Sequence, residues 1–540
     1  MNILENSRVY RFLAAIWMTL YRSWDHSFLG KTARKLSESY DVSLSARLWN
    51  GFCSAPNPGP TSAWASLWTK IRSFWEYMGK ILSHSLFYKI MIWFRDLYLK
   101  LTETSMVFRW VNKLSLHQWV LVAFAAYLPL EYIIRDVLGI GILASLWEEA
   151  FMAGAFVLIL WRVGLKQTRA IDRSTPVGAY ILLFVAVGCL LMALVRPYPS
   201  IAFAGLRAQV MYMVWFFLIL HLIEDDTDFK VLYTAFAAVV FLLSLHGIYQ
   251  YIIAVPIPSS WVSQTEAGVR TRVFSLTGSP NIFGSLLVMG APLLASLMYY
   301  CKKPLFKVLA LCGTGIMCLC LLFTFSKGAW LGIMLAIVLF ALFLDKRLFG
   351  VMGAAIAVVL TAVPSVTNRI TYLFNSDYRE ASAVGGRSLR WETGLNLLHE
   401  NNPWLGFGLG RFGGAVAMNN QVLDKTEEFS YFYMDNYYLK TLVEMGYVGL
   451  IFFVILLVGL AIWGIRAIYQ SDDRVLDRSV DPLFRNEGNM KPLTVGIFSG
   501  LMGVLLHCYF ENIFEEPYMM AYFWGLAAAI MYAGFFRKRS

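Results

Sequence analysis

From His117 to Phe536 the chain returns repeatedly to runs of about 18 or more mostly apolar residues, each close to the length at which a helix crosses roughly 30 Å of hydrocarbon. In lipid the backbone must satisfy its own hydrogen bonds, which leaves only helices or closed barrels. A chain of 540 residues with mean hydropathy +0.57 and 15% charged residues could not stay in water without burying nearly everything, so a membrane must supply the apolar solvent. The expectation is an all-α integral membrane protein with about twelve transmembrane helices. The spans read as 118–134, 143–163, 177–195, 201–223, 229–254, 281–300, 305–325, 329–344, 349–364, 447–468, 495–514 and 518–536.

A formal charge of +11 would suit nucleic acid, but its placement argues for topology. With the amino terminus inside, Lys and Arg gather in 162–173, 302–307, 346–347, 466–491 and the tail 537–539, as cytoplasmic loops should. Both termini are then cytoplasmic. The outward segments are 196–200, 256–280, the tight turn 326–328, a large loop over 365–446 between the ninth and tenth helices, and 511–517. No zinc-finger spacing or glycine-aromatic RNA signature accompanies the basic residues, which excludes nucleic acid as the partner. The seven cysteines fall mainly in or beside apolar helices and suggest neither a disulfide framework nor a metal site.

Residues 1–116 differ in kind from the membrane domain at 117–536. They are basic and rich in tryptophan, with apolar stretches too short and too charged to span, and read as a cytoplasmic or interfacial extension of amphipathic helices. A cleaved signal peptide fits poorly, because the weak apolar stretch at 12–20 lies between Arg11 and Arg22.

Cations on the outward side run against the positive-inside bias and need a reason. Arg207 sits near the outer end of its helix, Arg270 and Arg272 precede the helix opened by Pro280 and Asn281, and Lys327 occupies the turn Ser326-Lys327-Gly328. One reading is an anion site, with guanidinium groups and helix amino termini on a lipid-linked pyrophosphate. The other is that each cation snorkels to headgroup phosphates.

The large loop holds Gly385-Gly386-Arg387 with Arg390 and Trp391, then Pro403 through Gly410, then Asp435-Asn436 with Tyr438, Leu439, Glu444, Gly446 and Gly449. The alternating Gly406, Gly408 and Gly410 lack the strand and helix context of a dinucleotide fingerprint. With the Ser-Lys-Gly-Ala-Trp turn at 326–330, these features resemble the O-antigen ligase and polymerase family of bacterial envelope glycan assembly, over roughly 119–536.

The resemblance implies a glycosyltransferase in the bacterial cytoplasmic membrane, moving a glycan from a polyprenyl-pyrophosphate donor to an acceptor hydroxyl at the outer face. It implies no cofactor and no metal. The acceptor could be glycan, lipid or protein, and membrane lipids are the remaining partners. Arg272 and Arg387 are read as catalytic clamps on the pyrophosphate. Arg207, Arg270, Lys327, Arg390, Asn281, Asn436 and His399 are read as its substrate-binding helpers. Where the family has His before the Asn, this chain has Asp435, a carboxylate that can serve as base. His399 is the competing base, and an Asp-Asn helix cap is the structural alternative. His246 reads as helix packing, and His507 as a further residue near the outward side; Glu511, Glu515 and Glu516 read as solvated loop carboxylates. A transporter or lipid-linked oligosaccharide flippase remains the alternative function, although duplicated halves and paired broken helices are not evident.

Overall fold

In this computed structural model the described residues are 113–537, apart from 140, 165–172, 196–197, 259–260, 262–270, 363–386 (except 367 and 371), 421–432 and 473–480; before 113 only isolated positions are described. The expectation for residues 1–116 therefore lies almost wholly outside the described residues, as does Arg270.

Every described regular element is helical. The first are α1 (Leu116–Ala125), α2 (Tyr127–Tyr132), α3 (Gly141–Gly164), α4 (Pro176–Leu194), α5 (Pro199–Val210), α6 (Val214–Leu222) and α7 (Asp226–Ile253). There follow α8 (Pro280–Tyr300), α9 (Pro304–Phe323), α10 (Lys327–Phe343) and α11 (Leu348–Ala362). The remainder are α12 (Arg387–Glu400), α13 (Ala415–Asn420), α14 (Tyr437–Gln470), α15 (Pro482–Arg485), α16 (Lys491–His507) and α17 (Pro517–Met531). Proline opens many of them at the first turn, where its missing N–H leaves no bond unmade.

Among the described residues, 8 helices are long and apolar enough to cross a membrane, and four shorter apolar helices stand at Leu116–Ala125, Lys327–Phe343, Leu348–Val358 and Lys491–His507. Eight of the apolar runs read from the sequence thus coincide with helices long enough to span, and the other four coincide with the shorter helices. Large apolar side chains such as Leu190, Leu242, Ile252, Leu309 and Val458 stand exposed along the outer helices, a surface suited to lipid and not to water.

The centre is α8, α10 and α16, packed closely through small residues. A Cβ added to Gly500 would lie 2.6 Å from the Met289 carbonyl, and one on Gly503 would lie 2.6 Å from that of Gly332. Backbones can approach this closely only where side chains are absent, which is how apolar helices pack without a hydrophobic drive between them. The start of α8, the α9–α10 turn and the end of α16 consequently meet at one end of the bundle.

Two features differ from the sequence reading. The large loop is partly helical, because Trp391, Gly394 and Leu398 repeat at helical spacing and turn α12 toward Phe412 and Val443. The tenth span starts at Tyr437, ten residues earlier than expected, and carries a break at Gly446 (φ 65, ψ −171). The backbone freed by that break is met by the glycine-rich stretch: Tyr447 N donates to Pro403 O at 2.9 Å, and Phe407 N to Val443 O at 2.7 Å. Gly406 (φ +84) lies so close that a Cβ there would come within 2.4 Å of Gly446 N. The alternating glycines are thus a wedge against a broken helix.

Candidate active site

The strongest site geometry begins with Asp435. The next residue, Asn436, caps α14 by accepting from Leu439 N at 3.0 Å, which leaves the Asp435 carboxylate outside the helix-capping role. Asn436 is therefore occupied as a cap, and its side chain works for the helix. The Tyr437 N–H donates to Cys508 O at 2.9 Å and docks this segment against the end of α16.

Asp435 Oδ2 accepts from Arg387 Nε at 2.6 Å, and its Oδ1 accepts from the Trp391 indole at 3.2 Å. Arg387 and Trp391 are four residues apart on α12 and so share a face. Arg387 Nη2 also donates to Phe510 O at 3.0 Å. Its side chain keeps 39% exposure, whereas Asp435 keeps 12%, so the pair forms a half-open cationic surface over a covered carboxylate. Trp391 meets Tyr509 edge to face at 5.5 Å, closing the apolar side.

Arg272 is deeper, with only 6% exposure. Its Nε donates to Thr324 O, its Nη1 to Trp261 O and its Nη2 to Asn281 Oδ1, each at 2.9 Å. Asn281 in turn donates through Nδ2 to Glu511 Oε2. A chain of contacts thus runs from Arg272 through Asn281 to the α16 turn at 510–511 and on to Arg387 and Asp435.

The Ser326-Lys327-Gly328 turn belongs to the same end. The ring of buried His507 lies against Gly328, where a Cβ would sit 2.5 Å from it, and accepts or donates at 2.5 Å with Ser285 Oγ and 3.4 Å with Ser326 Oγ. Lys327 opens α10, half-buried, and Arg390 lies one turn along α12 from Arg387, also half-buried.

Other residues named from the sequence are placed elsewhere. Arg207 pairs with Glu149 and contacts Met211, with 47% of its side chain exposed. His399 is exposed, bonds the Leu395 carbonyl of its own helix at 2.7 Å, and lies about 18 Å along α12 from Arg387 by helix rise. That distance removes His399 from the Asp435 cluster. His246 packs as expected, with Ser275 Oγ at 3.0 Å.

The glutamates correct the sequence reading, since none is a simple solvated loop group. Glu515 Oε1 accepts from Ala415 N at 2.7 Å and Glu515 Oε2 lies 3.6 Å from Lys440 Nζ, itself 2.9 Å from Glu444. Burial pushes the Glu516 carboxyl up to about 7, helped by the charge of Glu515. Burial also raises Glu511, against the opposing pull of the Asn281 hydrogen bond and Arg387. Glu511 reads from the sequence as a solvated loop carboxylate, and its link to Asn281 and Arg272 is what that reading leaves out. The available signal was its place at the end of an apolar helix in an outward turn, the same context that singled out Arg272.

Chemically, the arrangement offers a fixed guanidinium at an open face, a second buried positive charge, a covered carboxylate and an indole. Such a set suits an anionic group whose charge grows during reaction. Among the described residues no group of three His, Cys, Asp or Glu side chains is placed to hold a metal ion.

Residues 312–454 match the family model described as O-antigen ligase. The match runs from within α9 into α14 and so takes in the Ser-Lys-Gly turn, Arg387, Trp391, the glycine wedge and Asp435, but not Arg272, Asn281 or Glu511. No curated protein matches the chain. Over residues 312–454 the chain is thus similar to the O-antigen ligase family, within a protein whose described residues include 8 helices long and apolar enough to cross a membrane.

Proposed function

We propose that the chain transfers or polymerises a glycan from a polyprenyl-pyrophosphate donor onto an acceptor hydroxyl at the outer face of the cytoplasmic membrane. The observation that carries this reading is the Arg387–Asp435 pair, held half-open beside Trp391 and linked through the α16 turn to buried Arg272. The acceptor oxygen attacks the anomeric carbon, and the bond from that carbon to the pyrophosphate oxygen breaks. Its electron pair leaves with the lipid pyrophosphate. The hydroxyl proton passes to Asp435.

Arg387 meets the leaving phosphate oxygens from the open face, while Arg272 contributes positive charge from a site of low dielectric, where it is screened least. Asp435 uses one lone pair on each oxygen for Arg387 and Trp391; a carboxylate has about four such sites, so two remain for an incoming hydroxyl. In this reading both termini are cytoplasmic, twelve segments span, and the reaction needs no metal.

The test is transfer in proteoliposomes supplied with donor and acceptor. Asp435→Asn is expected to abolish transfer with normal expression, and chelation by EDTA is expected to leave the wild-type rate unchanged. Full activity of Asp435→Asn ends the base assignment. A product ladder on a gel identifies polymerisation, and en bloc transfer identifies ligation.

A further inference from the structure

The turn that closes α16 reaches both arginines. Phe510 offers its carbonyl to Arg387 Nη2 at 3.0 Å. The next residue, Glu511, offers a carboxylate oxygen to Asn281 Nδ2, and Asn281 Oδ1 holds Arg272 Nη2 at 2.9 Å. A side-chain amide has one donating and one accepting end, so the group met by one end decides what the other presents. With Glu511 on the Nδ2 side, Oδ1 must face Arg272. Reversed, the amide would set donor against donor.

Arg272 also donates to Thr324 O and Trp261 O, and the Asn281 contact holds its Nη2 end. Glu511 works here as a hydrogen-bond acceptor. It acts on Arg272 through one amide, and Arg387 and Asp435 face it from α12 and from the segment before α14. Two adjacent residues outside the 312–454 match thus set guanidinium groups from two separate parts of the chain.

Resting on the glycan-transfer reading, we propose that Glu511 is a positioning residue for the donor, holding Arg272 and Arg387 at the spacing that reads a diphosphate in preference to a monophosphate. Two cations fixed relative to each other act together on two linked phosphates. A monophosphate engages such a pair only in part, and loosening the pair erodes the advantage of the diphosphate.

The experiment uses the full chain in proteoliposomes and compares competitive inhibition by polyprenyl diphosphate and polyprenyl monophosphate, alongside KM and kcat for the donor. Wild type is expected to favour the diphosphate. In Glu511→Ala that preference should shrink about tenfold, the equivalent of roughly 1.4 kcal/mol, with donor KM rising more than kcat falls. Glu511→Gln keeps an accepting oxygen for Asn281 and should retain most of the preference. Asn281→Ala should reproduce Glu511→Ala, and the double variant should be no worse than either single one.

An unchanged inhibitor ratio in Glu511→Ala overturns the proposal. So does a Glu511→Gln that loses kcat as fully as Glu511→Ala at constant KM, since that pattern marks a proton-transfer group. If Glu511→Ala does not fold, Asn281→Ala decides: loss of the preference sustains the proposal and an unchanged ratio overturns it. A wild type that transfers nothing removes the transfer reading together with this one. A transferring wild type with an unaltered Glu511→Ala removes this one alone.

Discussion

Two arginine-carboxylate clusters stand at opposite ends of α10, separated by about 25 Å of helix rise, and they are built to opposite rules. Beyond the carboxyl end, Arg347 is 3% exposed in its side chain and donates to both oxygens of Asp345 and both of Asp481, while Tyr299 adds a bond to Asp345 at 3.1 Å. At the amino end, Arg387 donates to the Asp435 carboxylate and the Phe510 carbonyl and its side chain keeps 39% exposure. The first guanidinium is closed off by two carboxylates and serves as a clamp between loops. The second retains a face that an anion can reach. Exposure and compensation, more than the presence of an arginine, separate a strut from a binding group.

That contrast is most severely strained by exchanging the losses. Arg387→Ala should lower transfer by about 100- to 1,000-fold, the range for removing one preorganised donor, with a melting temperature close to wild type. Arg387→Lys should recover little, since an ammonium lacks the fork. Arg347→Met should do the reverse, costing on the order of 3–5 kcal/mol because two covered carboxylates lose their partner, while transfer per folded molecule is retained. Replacing Asp345, Arg347 and Asp481 together by neutral residues should recover most of that loss in a detergent melting assay.

Arg207 sharpens the comparison as an intermediate case, ion-paired yet nearly half exposed. Arg207→Ala is expected to leave donor KM within about twofold and to cost under about 1 kcal/mol in a melting assay, as for loss of one exposed ion pair outside the Arg387 cluster. The smallest effect belongs to Glu516. Its folded-state value is raised from 4.5 to about 7 by burial and by Glu515, against Arg135, so the neutral form is favoured in the fold. The contribution is present below about 4.5 and lost as pH rises through about 7. Wild type should therefore melt a few degrees lower at pH 8 than at pH 5, and Glu516→Gln should flatten that slope.

The membrane-spanning architecture was legible because apolar length is a one-dimensional property. Arg387 and Asp435 drew attention by their motif positions, and the fold brings these two side chains together. The helix in the large loop was harder, because α12 buries only a narrow stripe around Gly394 and Leu398 and reads as polar on average. The early start of α14 was hidden by Lys440 and Glu444, whose charges look like loop until each is seen to hold the other at 2.9 Å. The contact that Glu511 makes was hidden for a different reason. Its partner Asn281 is 230 positions away in sequence, and no local pattern records such a contact. His399 is the converse case, a chemically apt residue whose helix carries it away from the Asp435 cluster.

The central claim, that the Arg387 end of the bundle receives the donor pyrophosphate, is tested most directly by photo-crosslinking. A polyprenyl-pyrophosphate donor bearing a photoreactive group next to the phosphates would be bound to the full chain in proteoliposomes, and the labelled peptides mapped by mass spectrometry. The account predicts labels within 387–391, 433–438 and 507–512, competed away by unlabelled donor and lost in Arg387→Ala. Competed labels confined to the Arg347–Asp481 end, with the Arg387 end unmarked, would contradict it.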